Sequence, residues 1–126
     1  MASYLIDSDI LVDFFRQNAG ATNYLDSLGE WSVSIVTEME LIAGAKNKQE
    51  AADIEMTLGA YRTVPLSEDV GQLAYNVMKS YAKSNGLETP DALIAATAIH
   101  EGLKLSTTNR KHFEPISGLE IEVPEY

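Results

Sequence analysis

The chain has 126 residues, of which 45% are apolar and 22% charged, a composition that builds one ordinary globular domain and excludes a disordered polymer. It has no cysteine and two histidines, which excludes a disulfide scaffold or a thiolate nucleophile and makes a zinc centre a poor prospect. Nine Lys and Arg stand against 19 Asp and Glu, a net charge of −10, whereas a nucleic-acid binder ordinarily carries a basic face.

No apolar run approaches the ~18 residues of a membrane span, and Met1-Ala2-Ser3-Tyr4 does not open a secretory leader. The expectation is a single domain over residues 1–126, cytoplasmic and without a membrane partner. Tyr4-Leu5-Ile6 reads as a short buried strand followed at once by Asp7-Ser8-Asp9. Ile10, Leu11, Phe14 and Phe15 then recur at helical spacing, with Arg16 at the helix end. Ala21 to Leu28 reads as a second helix, closed by Gly29. Trp31 to Val36 reads as the second strand. Thr37-Glu38-Met39-Glu40 has the spacing of a capping box and opens a helix to about Ala45.

Lys48 to Tyr61 is helical by its apolar spacing, and Val64-Pro65-Leu66 is a third strand whose proline points to an edge. Ser67 caps a long helix that presents Leu73, Val77 and Tyr81 on one face and ends near Gly86. Thr89-Pro90-Asp91 starts another, with a cap, a proline at the first helical position and an acid in the first turn. It runs through an alanine-rich stretch to Gly102. Leu103 to Thr107 is the fourth strand, and Glu120-Ile121-Glu122-Val123 alternates as an edge strand would. Strands separated by helices imply parallel crossovers: an α/β protein, a three-layer α/β/α sandwich with a mostly parallel central sheet. In such folds the working crevice lies beyond the carboxyl ends of the strands. Asp7 follows the first strand and Thr107 to Asn109 follow the fourth, while Glu40 and Asp91 are read in the first turns of their helices.

Gathering Asp7, Glu40 and Asp91 is expensive. Two carboxylates ~5 Å apart at an effective dielectric of ~20 repel by roughly 3 kcal/mol. Such a cluster must take up protons or bind a cation, and an all-oxygen donor set favours Mg²⁺ or Mn²⁺. Each member also has a plainer reading. Glu40 completes the capping box with Thr37, Asp91 complements a helix dipole, and Ser8 or Asp9 caps the first helix. His100 reads as structural or exposed, and Phe113 as a core plug.

Four segments carry a resemblance to a known family. Tyr4-Leu5-Ile6-Asp7-Ser8-Asp9-Ile10-Leu11-Val12-Asp13 resembles the opening block of the PIN-domain ribonucleases, and within them of the VapC-type toxins of toxin–antitoxin pairs. Ser34 to Gly44, Pro90 to Ala98 and Leu105 to Phe113 resemble the second, third and fourth blocks in the family's order. The resemblance implies a metal-dependent endoribonuclease that uses Mg²⁺ or Mn²⁺. Asp7, Glu40, Asp91 and Asn109 would form its catalytic set, and Ser8 and Thr107 would be the hydroxyls that orient it.

The chain departs from the family's pattern in two places. Asn109 stands where an acid is frequent, and Asp9 stands where Asn is more usual, so Asp9 is read as a further metal ligand that restores the missing charge. Arg16, Lys46, Arg110, Lys111 and His112 are the candidate RNA contacts, either gathered as a basic rim or scattered over an acidic surface. The resemblance further implies a cognate VapB-type antitoxin and a homodimer, with helix faces bearing Met39, Ile42 and the Tyr24-Leu25 pair as candidates. A PIN-like binding protein without chemistry and a receiver-like signalling domain are the competing readings. The receiver reading lacks a phosphoacceptor Asp after the third strand, where Ser67 stands.

Overall fold

Leu5 and Ile6 are adjacent, both fully buried, and belong to different hydrophobic clusters. Successive strand residues point to opposite faces, so this pair requires a sheet covered on both sides. The structure, a computed structural model, describes residues 3–126; Met1 and Ala2, part of the reading of the N-terminus, lie outside the described residues. Its elements in chain order are β1 (Tyr4–Ile6), α1 (Ser8–Phe15), α2 (Ala19–Leu28), β2 (Trp31–Ser34), α3 (Ile35–Ala43) and α4 (Lys48–Leu58). There follow β3 (Arg62–Val64), α5 (Glu68–Asn85), α6 (Thr89–Glu101), β4 (Lys104–Ser106), α7 (Arg110–Phe113) and β5 (Ile121–Glu122).

The strands form one five-stranded sheet in the order β3-β2-β1-β4-β5, and every pairing is parallel. One face is covered by α5 and α6, whose Val70, Ala74, Val77, Ile94 and Ala98 pack with Leu5 and Leu105. The other is covered by α1, α2 and α4, through Ile10, Leu11, Leu25, Ile54 and Leu58 against Ile6 and Val33. The expected layered α/β architecture is therefore observed. The strand order reverses between β1 and β4, and a parallel sheet opens its crevice at such a switch point.

Four local expectations are corrected. The second strand ends at Ser34 rather than Val36, because the Ser34 side chain accepts a hydrogen bond from the Val36 amide and caps α3 directly. The Thr37–Glu40 capping box therefore does not form. The third strand is Arg62–Val64, ending where Pro65 would have no N–H for the ladder. The cap of α6 is Glu88 rather than Thr89, and the cap residue's own side chain makes no capping hydrogen bond. The cap of α1 is Asp7 itself, not Ser8 or Asp9. Ser67 caps α5 as expected, accepting from the Val70 amide at 3.2 Å. Phe113 is fully buried, a core plug at the end of the short α7. Among the described residues no helix is long and apolar enough to cross a membrane.

Candidate active site

Asp7 follows β1 without an intervening loop and is 5% exposed. Its amide donates to the Ser106 carbonyl at 2.9 Å, which adds a rung to the β1–β4 ladder. One carboxylate oxygen accepts from the Ser8 amide at 2.9 Å and the other from the Thr107 hydroxyl at 2.7 Å. These bonds favour the anion, yet burial, reinforced by the nearby charges of Asp9 and Asp91, outweighs them and pushes the carboxyl up to about 7.

Asp91 sits in the first turn of α6, and burial raises its carboxyl above the ordinary range. The Glu88 backbone and His112 oppose that rise, and the Glu88 carboxylate adds to it. Glu40 lies in the second turn of α3 rather than the first, because the helix starts at Ile35, and it is the most exposed of the three. Partial burial raises it, as does the charge of Asp91, while a hydrogen bond from Ser8 opposes the shift. Asp7, Asp9, Glu40 and Asp91 are thus linked through one another's fields, and the acids stand on one side of the molecule. Glu88 joins them, although nothing in its sequence position sets it apart from an ordinary loop acid.

The first turns of α1, α3 and α6 open toward this carboxyl edge, and the partial positive charge of helix starts offsets some of the repulsion. Among the described residues, no group of three or more His, Asp and Glu side chains converges closely enough to hold a metal ion as placed. The donor chemistry nevertheless suits a hard divalent cation: carboxylates from three segments carry proton affinities raised by burial and by their neighbours, a cost that a positive ion would relieve.

The remaining sequence candidates divide in two. Thr107 and Ser8 touch the acids directly, as described. The Asp9 carboxylate accepts from the Ile10 amide at 2.8 Å and from the Thr108 amide at 3.2 Å, and it also contacts the Thr108 hydroxyl. Asn109 donates its amide to the Thr107 hydroxyl at 3.0 Å, and its side-chain nitrogen lies 3.0 Å from His112 Nδ1. That ring nitrogen stands 3.6 Å from Asp91.

Arg16 and Lys46 line a cleft of about 730 Å³ in which the acids Glu40, Glu50 and Asp53 also stand. Arg110 is exposed and reaches Glu114 at 3.6 Å, and Lys111 is exposed on the same turn. Arg16 and Lys46 thus share one cleft beside Glu40, whereas Arg110 and Lys111 stand apart on α7. On the helix faces, Met39 and Ile42 are exposed, but Leu25 is buried and Tyr24 faces inward onto Ser106 and Glu122. The Tyr24-Leu25 pair, a candidate dimer face by sequence, is thus turned into its own fold, and no sequence signal marks the long-range contact of Tyr24.

A sheet with this strand order, carrying an acid at its switch point, defines a class, and comparison with known proteins narrows it. The PIN domain family model matches residues 4–118. Ribonuclease VapC10 of Mycobacterium tuberculosis strain H37Rv is 34% identical over 113 residues, spanning 86% of this chain and 84% of its own. Ribonuclease VapC1 of Methanocaldococcus jannaschii is 26% identical over 121 residues, spanning 94% and 85%. A chain in a toxin–antitoxin complex from Klebsiella pneumoniae superposes with a TM-score of 0.83 at 29% identity, over 97% of this chain and 98% of its own. A chain of the DNA-bound VapBC complex from Salmonella typhimurium reaches 0.85 at 22% identity, over 98% of each, and speaks to the fold. The chain belongs to the PIN domain family. Within that family its relatives are of the VapC type.

Proposed function

We propose that the protein is a metal-dependent endoribonuclease and the toxin of a toxin–antitoxin pair. The observation that carries this reading is Asp7, buried at the switch point of the sheet with its carboxyl pushed up to about 7 beside Asp9 and Asp91. Support also comes from relatives named as ribonucleases that span most of the chain. In this reading Asp7, Glu40 and Asp91 hold one or two Mg²⁺ or Mn²⁺ ions. When bound, the ion supplies Lewis acidity toward water and charge compensation at the scissile phosphate.

The chain's own groups do the rest. Thr107 and Ser8 keep the Asp7 oxygens aimed, and Asp9 adds negative charge beside it while its oxygens stay engaged with Ile10 and Thr108. Asn109 braces Thr107 and His112. Arg16 and Lys46 face the phosphates of an RNA strand in the cleft, and Arg110, Lys111 and His112, set apart on α7, are further contacts for the strand. The solved relatives titled as toxin–antitoxin or VapBC complexes support a cognate VapB-type antitoxin as partner. Exposed Met39 and Ile42 are the part of α3 open to a second copy in a homodimer.

The test is cleavage of a fluorogenic RNA oligonucleotide with Mg²⁺ present. Wild type cleaves, a chelator stops cleavage, and Asp7→Asn does not cleave. Equal turnover by wild type and Asp7→Asn contradicts the reading and leaves a binding protein on the same fold.

A further inference from the structure

Three hydrogen bonds fix Asp7, and two of them come from the same pair of residues at the end of β4. The Ser106 carbonyl takes the Asp7 amide proton, and the Thr107 hydroxyl donates to the Asp7 carboxylate. That pair is gripped in turn from its far side. The Thr107 amide donates to the Glu122 carbonyl at 3.0 Å. The Glu122 carboxylate accepts from the Tyr24 hydroxyl at 2.6 Å, and the same hydroxyl contacts the Ser106 hydroxyl.

A phenol has one proton to give. With that proton on the short, charge-assisted bond to Glu122, the Tyr24 oxygen accepts from Ser106. This fixes the rotor of a side chain with no solvent exposure. Burial and the Glu122 bond keep Tyr24 a phenol by pushing its ionisation well above the usual range. The contact therefore joins α2, β4 and β5 directly behind Asp7.

β5 needs such help. It is two residues long and lies at the edge of the sheet, too short to hold its register by ladder bonds alone. A second tie follows it: the Tyr126 hydroxyl donates to the Asp13 carboxylate at 2.6 Å. The Tyr126 side chain lies so close to Gly20 that a Cβ there would stand 2.8 Å from Tyr126 Cβ. Both Glu122 and Tyr126 lie beyond residue 118, where the match to the family model ends.

We propose that Tyr24 and Glu122 are positioning residues for Asp7, acting through Ser106 and Thr107. Their hydroxyl–carboxylate bond holds the end of β4 in the one register that presents the Thr107 hydroxyl and the Ser106 carbonyl to Asp7 together. The kinetic part of this inference rests on the ribonuclease reading above; the structural part does not.

Tyr24→Phe keeps the ring and removes both bonds. Backbone amide exchange is followed in the metal-free chain at Asp7 and at Ile94, the latter reporting global opening, alongside cleavage of the RNA oligonucleotide. In Tyr24→Phe the Asp7 amide exchanges about 10-fold faster relative to Ile94, and kcat falls about 10-fold with KM within about 2-fold, the pattern of a misplaced group rather than lost binding. Glu122→Ala behaves alike, and Glu122→Gln, whose amide oxygen still accepts from Tyr24, recovers most of both effects. Equal acceleration at Asp7 and Ile94, or unchanged kcat in a chain whose wild type is active, overturns the inference. If wild type cleaves no RNA, the ribonuclease reading falls and the exchange ratio alone decides this one.

Discussion

The two ends of the parallel sheet handle charge in opposite ways. At the amino end, Arg62 and Glu101 form an ion pair, Trp31 stacks on Tyr61 with ring centres 3.7 Å apart, and α2 and α6 terminate at Gly29 and Gly102 with positive φ. There each feature satisfies its neighbour. At the carboxyl end, Asp91 lies within the field of both Asp7 and Glu40, and the proton affinity of each of the three is raised. The amino end is arranged for stability. The carboxyl end holds an electrostatic cost that protons or a cation would relieve, and the proposed function rests on that difference.

The sharpest way to break this contrast is Asp7→Asn. Cleavage of the RNA oligonucleotide should fall by at least about 1,000-fold, on the order of 4 kcal/mol of transition-state stabilisation, while the folded chain loses nothing in stability above neutral pH. Loss of both activity and stability would put Asp7 with the structural groups instead.

The pH dependence of the metal-free chain comes next in size. The folded-state value for Asp7, about 7, lies above the ordinary 3.8, so between those limits the folded chain holds a proton that the unfolded chain has released. Stability is therefore greatest toward acid and falls as pH rises through this window. The loss is a few kcal/mol at about 1.4 kcal/mol per tenfold change in proton affinity. Glu40 and Asp91 shift in the same direction and add to it. Urea unfolding at a series of pH values in chelator reads the slope, Asp7→Asn should flatten it, and added Mg²⁺ should restore stability on the alkaline side.

Smaller effects sharpen the comparison. Replacing Arg16 and Lys46 together by Ala should raise KM several-fold with little change in kcat, and should lower the salt dependence of RNA binding by about one to two phosphate contacts. An unchanged salt slope would remove them from the RNA path. At the opposite end, Arg62→Ala should cost less than about 1 kcal/mol, as exposed ion pairs do, and leave turnover intact. Thermal unfolding and the oligonucleotide assay together check both halves.

The molecule yielded unevenly to its sequence. The layered α/β order follows from periodicity, and Asp7 stood out because a carboxylate directly after a buried apolar strand is hard to explain as decoration. Glu40 was harder, since its spacing from Thr37 imitates a capping box. Ile35 and Val36 are β-branched and read as strand, yet Ser34 turns the chain into helix with no loop between. Propensity cannot see a junction decided by one hydroxyl and by packing. Pro65 carried the right information, but it marks the residue after a strand rather than one within it. The roles of Glu88 and Tyr24 escape the sequence for a different reason. Each matters only through residues that folding brings near: Glu88 through Asp91 and Glu40, and Tyr24 through Ser106 and Glu122, which are 82 and 98 positions away in the chain.

The central claim is that Asp7, Glu40 and Asp91 belong to one cation site. A crystal structure of the chain grown with Mn²⁺, with the anomalous signal of the metal located, tests it most directly. The account predicts a peak within about 2–2.5 Å of carboxylate oxygens from Asp7 and at least one of Glu40 and Asp91. A well-ordered structure with those carboxylates free of metal at saturating Mn²⁺, or with the peak elsewhere on the surface, would contradict it.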